Sequence, residues 1–524
     1  MNQMTYYNNL LNQIKKINVN FSYCCILILA GFTVGNLNAQ TGDIPTGLPQ
    51  AFELGYKYDG QTAVVNWHTE VNIPFGYGYR YLSGGANTTS NWKTWLSPSG
   101  QSLRTFINAT LAANLIPVVT YYNHLNSLPS EGTHEIDRVI NNLRNNTTML
   151  AIYEDIQLVL EICSEFNDKI ILHVEPDLFG FIEKSARADN VSLSNFQASV
   201  ASSGYSQAQN LPNTAVGYAL TLLKMRDTYA SNVLMAIPFS NWANKGITNN
   251  NNVLTEATIR QRAEETGQFF SEMGLTPNTT HNISAWDLFF FDTNGRDAAY
   301  RELVSNEPVN SAWWTNTELD NLRTWADQLN ITTGLRSMYW QIALGNQKYK
   351  TIDNTTGHYE DLITEYLLDD ISSNRLTNWA ESGVIALLFG SGNANTTNNF
   401  DYQNDGITNG NTSGLTSTVS DDDGGYFRYK SSQYYTNGKI DLSPSLGVND
   451  NESSIISWFP NPIKETLTVS NLLFKKNDVT IYNLLGQNFT KDILISGNNI
   501  NISKLPKGFY VVKIKTFTNK IYKK

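Results

Sequence analysis

Cysteine, histidine and charge are all scarce in this sequence. Three cysteines among 524 residues argue against a disulfide-stapled scaffold, and six scattered histidines without ligand spacing argue against a zinc site. Charged residues make up only 16% and the net charge is −10, so there is no concentrated positive field for a nucleic acid. Long hydrophobic runs are missing too: the apolar stretch Phe21 to Val34 is about 14 residues, where roughly 20 are needed to span a bilayer. No Ser-His-Asp elbow, phosphate loop or dinucleotide fingerprint stands in a supporting context.

What is present points to export and to a large folded body. Lys15 and Lys16 precede the apolar run, and Asn36-Leu37-Asn38-Ala39 offers a small-residue cleavage site. Residues 1–39 therefore read as a signal peptide for Sec export, with no transmembrane anchor left after processing. Cleavage removes Cys24 and Cys25 and leaves Cys163, on the apolar face of a predicted helix, as a small buried hydrophobe. A hydrophobic content of 41% over this length exceeds what one core usually organises, so more than one domain is expected.

From residue 40 to 440, β-branched or aromatic runs alternate with helical patterns. The strand candidates are Gly76–Leu82, Leu115–Tyr122, Lys169–Val174, Asn232–Pro238, Ala285–Phe291, Met338–Ala343 and Val384–Phe389. Between them, Ile136, Val139, Ile140 and Leu143 follow helical spacing, as do Leu319, Leu322, Ala326 and Leu329. This is an α/β pattern, read as a TIM-like (β/α) barrel whose polar strand ends share one face. A Gly/Asn/Thr-rich loop, 390–425, is assigned to that face. Residues 441–454 form a Ser/Asn/Asp linker, and 455–524 read as a small all-β, sandwich-like domain. That segment holds eleven Lys, no Arg and three acids, a charge of +8 that leaves −18 for the rest. Two separately evolved units are the simplest account.

The tail has three landmarks: Trp458-Phe459-Pro460-Asn461-Pro462, Val479 to Gln487, and Leu505 to Ile514. Alternation through Tyr510, Val512 and Ile514 makes a two-faced strand, and Leu485-Gly486-Gln487 a turn. With the closing Lys523-Lys524, their order closely resembles the C-terminal sorting domain of the type IX (Por) secretion system of Bacteroidetes. The resemblance implies a partner in that secretion machinery, passage across the outer membrane, and removal of the tail on release or surface attachment. The expected location is outside the cell or on its outer surface.

Chemistry is sought at the strand ends. In His173-Val174-Glu175-Pro176-Asp177, residues two apart on a strand share a side, so Glu175 and Asp177 are expected to project together, roughly 7 Å apart at the backbone. Two carboxyls that close repel, and one keeps its proton to higher pH. Glycosidic cleavage needs such an acid, because the leaving oxygen must be protonated as the bond breaks. A capping Asp beside a salt-bridged Glu is the competing reading. Phe289-Phe290-Phe291 delivers Asp292 to the same face, with Arg296 expected to hold it ionised. Trp242, Trp340, Tyr121 and Tyr122 stand at or near strand ends, where rings stack on sugar faces, although core packing is the default for any one of them. Arg80 and Gln341 complete the candidate substrate-binding set. No cofactor is expected. Calcium has only a loose loop at Asp401–Thr412, with Gln403 at its third position, and the acidic turn Asp421-Asp422-Asp423.

In order, Val118–Tyr122, Glu175-Pro176-Asp177, the Trp242 segment, Asp292–Arg296 and Tyr339-Trp340 are similar to glycoside hydrolase family 6, inverting β-1,4-glucanases on a distorted α/β barrel. That resemblance implies Asp177 as catalytic acid. Two pieces differ: Asn123-His124-Leu125-Asn126 stands in place of an aspartate-rich turn, and Gly345-Asn346-Gln347 in place of a Gly-Gly-Glu run. The expectation is a secreted glycoside hydrolase acting on a polysaccharide. Asp177 is the acid, Glu175 shapes its pKa, and Asp292 or residues 421–423 assist water; inversion follows if acid and base stand roughly 6.5–9.5 Å apart. A non-catalytic carbohydrate-binding or adhesion protein is the alternative, and a lyase or esterase on decorated polysaccharide a third.

Overall fold

Eight short runs pair side by side until the last meets the first. A computed structural model describes residues 42–247, 254–293, 295–348, 358–369, 374–390, 396–399, 425–442, 458–460, 462–469, 474–483, 486–515 and 517–524. The chain divides into two compact units, one ending at residue 443 and one beginning at 444. In the first, β1 (Glu53–Lys57), β2 (Tyr77–Ser83), β3 (Ile116–Tyr122), β4 (Ile170–Val174), β5 (Val233–Pro238), β6 (Leu288–Phe291), β7 (Arg336–Ile342) and β8 (Val384–Phe389) form a closed parallel barrel in sequence order. β1 pairs with β8 to shut it. Helices over 135–144, 146–164, 178–188, 215–229, 256–269 and 316–333 stand among the connections, and one over 425–437 follows β8. The TIM-like barrel expected from the sequence is the fold.

Two-residue alternation decides what fills the barrel. His173 on β4 stacks on Phe290 at 4.5 Å and meets Trp340 edge-on at 4.6 Å, while Tyr79 and Tyr81 of β2 close on the same indole at 5.9 and 5.5 Å. Burial holds the His173 imidazole neutral, with its pKa down at about 3. The outward set packs beneath the helices; Tyr121 donates to Asp155 on helix 146–164 at 2.8 Å, and Trp92 donates to the same carboxylate. Cys163 is buried and free, its thiol pushed up to about 12 by burial.

The barrel's ends are clasped together. Phe52 donates to the Ile440 carbonyl and Leu442 to that of Gln50, both at 2.8 Å, and Tyr434 donates to Phe52 at 2.7 Å. Glu53, buried at the start of β1, accepts from Lys439 at 2.6 Å and Tyr435 at 2.9 Å.

The second unit is all-β. β9 (Trp458–Phe459), β10 (Thr466–Val469), β12 (Leu494–Ser496) and β13 (Asn499–Asn501) form one antiparallel sheet; β11 (Val479–Asn483), β14 (Gly508–Ile514) and β15 (Phe517–Lys523) form another. Tyr510, Val512 and Ile514 all turn to its core with Ile463, Leu467 and Ile481, as the alternation requires.

Candidate active site

The cleft is made where strand geometry gives out. β4 stops at Val174, and Glu175 takes a left-handed conformation, φ 50°, that costs a non-glycine residue about 1 kcal/mol or more. Its amide still donates to Tyr121 at 2.7 Å. After this kink Asp177 occupies the N-cap position of helix 178–188, yet its side chain makes no capping bond. Glu175 and Asp177 therefore do not share a side, because the two-residue rule holds only along extended backbone. This corrects the expected pairing.

Glu175 is buried. Its Oε1 accepts from the Asn123 and His124 amides at 2.9 and 3.1 Å and stands 2.8 Å from His124 Nδ1. Asn123 in turn accepts from Gly85 and donates to Leu82, so these contacts sew together the ends of β2, β3 and β4. Glu175 holds the frame, with only a minor repulsion acting on Asp177.

Asp177 and Asp292 open onto one cleft of about 550 Å³. Asp177 is pushed up to about 7, first by burial, then by Asp292 and Glu135, against a stabilising Tyr122 hydroxyl. Asp292 is pushed up to about 6 by burial, opposed by a backbone hydrogen bond. Burial, not a neighbouring cation, sets its proton affinity. That corrects the role expected of Arg296, whose guanidinium lies 5.2 Å over the Tyr300 ring at the cleft.

Of the aromatic candidates, Tyr122 and Trp242 line the cleft. Trp242 rests on Phe181 at 5.2 Å and crosses Gly180, where a Cβ would come within 2.7 Å of the indole. The glycine lets that ring approach helix 178–188 this closely. Tyr121 does not reach the cleft, because neighbours on a strand face opposite ways and its hydroxyl is taken by Asp155. Trp340 is also withdrawn, buried within the barrel against Tyr81 and His173. The next residue, Gln341, reaches the cleft because β7 breaks register there and φ is 53°. Arg80 is committed elsewhere, donating to the Asp59 and Ser102 carbonyls at 3.3 and 3.1 Å beside Trp95.

The cleft also holds residues that the sequence reading passed over: Tyr81, Ser83, Asn126, Thr293 and Glu135. Alternation along β2 puts Tyr79, Tyr81 and Ser83 on one face, a signal available in the sequence. Glu135 had none, since it enters from the first residue of helix 135–144. The 421–423 aspartates and the 401–412 loop lie outside the described residues. Among the described residues, no group of three His, Cys, Asp or Glu could hold a metal, and no helix is long and apolar enough to cross a membrane.

No curated protein sequence matches the chain. Similar solved structures include a GH5-4 broad-specificity endoglucanase from Clostridium longisporum, at 11% identity and TM-score 0.30, covering 65% of this chain and 86% of that one. The catalytic domain of Cellulomonas fimi Cel6B gives 12% and 0.33, over 66% and 82%. Citrate synthase SbnG gives 11% and 0.26, over 65% and 87%. Glycoside hydrolases recur among these neighbours, but likenesses this remote carry nothing about the reaction. The tail is a different matter: residues 457–524 match the secretion system C-terminal sorting domain, and the chain carries that domain as its type IX address to the cell surface or beyond.

Proposed function

We propose that this is a secreted glycoside hydrolase with Asp177 as general acid and Asp292 as general base. One observation carries the reading: two carboxyl groups, both raised by burial, open onto the same cleft, and the charge of Asp292 raises Asp177 further. Once Asp292 is ionised, its charge helps Asp177 keep its proton. Asp177 then protonates the glycosidic oxygen as its bond to the anomeric carbon breaks. Asp292 removes a proton from the water that attacks that carbon. Trp242 supplies a flat wall for a sugar ring, and Arg296 and Gln341 offer donors to its hydroxyls. A β-glucan is the first substrate to try, and export suits an extracellular polymer.

The full chain is assayed on β-glucans, xylans and mannans beside Asp177→Asn, reading reducing ends. Release that the substitution abolishes supports the hydrolase. Binding without release, unchanged by the substitution, assigns an adhesion protein instead. Activity should follow a narrow bell: it rises as Asp292 ionises near pH 6 and falls as Asp177 loses its proton near pH 7.

A further inference from the structure

The cleft holds a third carboxyl group that neither step above uses. We infer that Glu135 is a positioning residue for the acid: it holds the Tyr122 hydroxyl while Asp177 carries its proton and yields that hydroxyl to Asp177 once the proton has gone. The inference rests on the hydrolase reading.

Tyr122 Oη donates to Glu135 Oε1 at 2.8 Å, and Tyr122, Glu135 and Asp177 line the same cleft. Glu135 is fixed as the first residue of helix 135–144, whose start is tied by the His134 amide bonding to Asp137 at 3.1 Å. The same phenol also acts on Asp177, favouring its charged form. Burial and the surrounding carboxylates hold the phenol well above its ordinary range, so it stays a neutral donor. A phenol has one proton to donate and two carboxyl groups compete for it.

While Asp177 is neutral, Glu135 keeps the phenol's proton through the 2.8 Å bond. When Asp177 has delivered its proton to the leaving oxygen, two carboxylates flank the phenol, and turning the O–H toward Asp177 stabilises the new charge. That bond forms as the reaction proceeds, which lowers the barrier instead of tightening substrate binding. The other groups that act on Asp177 or feel its charge are Asp292 after β6, Glu175 after β4 and Tyr81 of β2. None of them bonds to the Tyr122 hydroxyl.

Glu135 and Tyr122 thus act on Asp177 with opposite signs, which a purely structural role does not produce. In the full chain, Glu135→Gln should move the basic limb of kcat/KM to lower pH by about half a unit to one unit, with KM within about twofold. Tyr122→Phe should move it to higher pH and lower kcat about tenfold. Glu135→Asp, which keeps the charge, should restore most of the wild-type profile. Shifts of the same sign in the first two variants, or a basic limb that Glu135→Gln leaves in place, overturn the inference. If the wild-type chain hydrolyses nothing, the hydrolase reading falls separately. The pairing is then read from a carbon-13 titration of the Asp177 carboxyl, assigned with Asp177→Asn, and a midpoint that Glu135→Gln does not lower overturns it.

Discussion

The seam joining the ends of β2, β3 and β4 and the cleft beside it are built from the same strand ends, yet they treat a carboxyl group in opposite ways. In the seam, two amides donate to one oxygen of Glu175, with the His124 ring close beside it. In the cleft, Asp177 occupies a helix N-cap without a side-chain bond to the helix and is raised first by burial, then by neighbouring carboxyl groups. A carboxylate supplied with donors stabilises a fold, whereas one that meets mostly burial and like charge is held ready to keep or give a proton. Two residues of sequence separate these outcomes.

The contrast breaks most visibly at Asp177. Asp177→Asn should cut kcat about 10³- to 10⁴-fold with little loss of structure, measured on whichever polysaccharide is cleaved. Next comes Glu175→Ala, which strands the Asn123 and His124 amides in the interior. It should cost about 3 kcal/mol or more in denaturant unfolding, and any activity lost should track the fraction unfolded. If it instead stays folded and is catalytically dead, the division between seam and cleft is wrong.

A smaller effect has the opposite sign. Asp177 binds its proton more tightly folded, at about 7, than unfolded, near 3.8, so its ionisation opposes folding as pH climbs between those values. Asp177→Asn should therefore stabilise the protein at pH 8 by about 1–2 kcal/mol, after discounting for its partial exposure, and the gain should vanish near pH 4. Glu175→Ala should show no such gain. The smallest change is Trp242→Ala, which should raise KM about three- to tenfold through lost stacking and leave both pH limbs in place.

Much of this was legible in the sequence. The runs assigned to β2 through β8 stand out as apolar and β-branched; β1 does not, because Glu-Leu-Gly-Tyr-Lys carries a buried Glu53 whose partners, Tyr435 and Lys439, lie nearly 390 residues away. Asp177, Asp292 and Trp242 could be found as polar or aromatic residues directly after apolar strands. Tyr121 and Trp340 could not be sorted from Tyr122 and Gln341, because proximity to a strand end does not say which face a side chain takes. For Gln341 the deciding fact is a break in β7 that no local pattern announces. Glu135 reaches the cleft through tertiary packing of a helix start, which periodicity does not record.

The clasp between the barrel's first and last segments bears on how the exported protein matures. The bonds from Gln50 and Phe52 to Ile440 and Leu442, with Glu53 gripping Lys439, finish the barrel before the second unit begins at residue 444. A protease that cuts anywhere beyond Leu442 severs none of them, so the address label can be clipped off while the barrel it delivered keeps its shape.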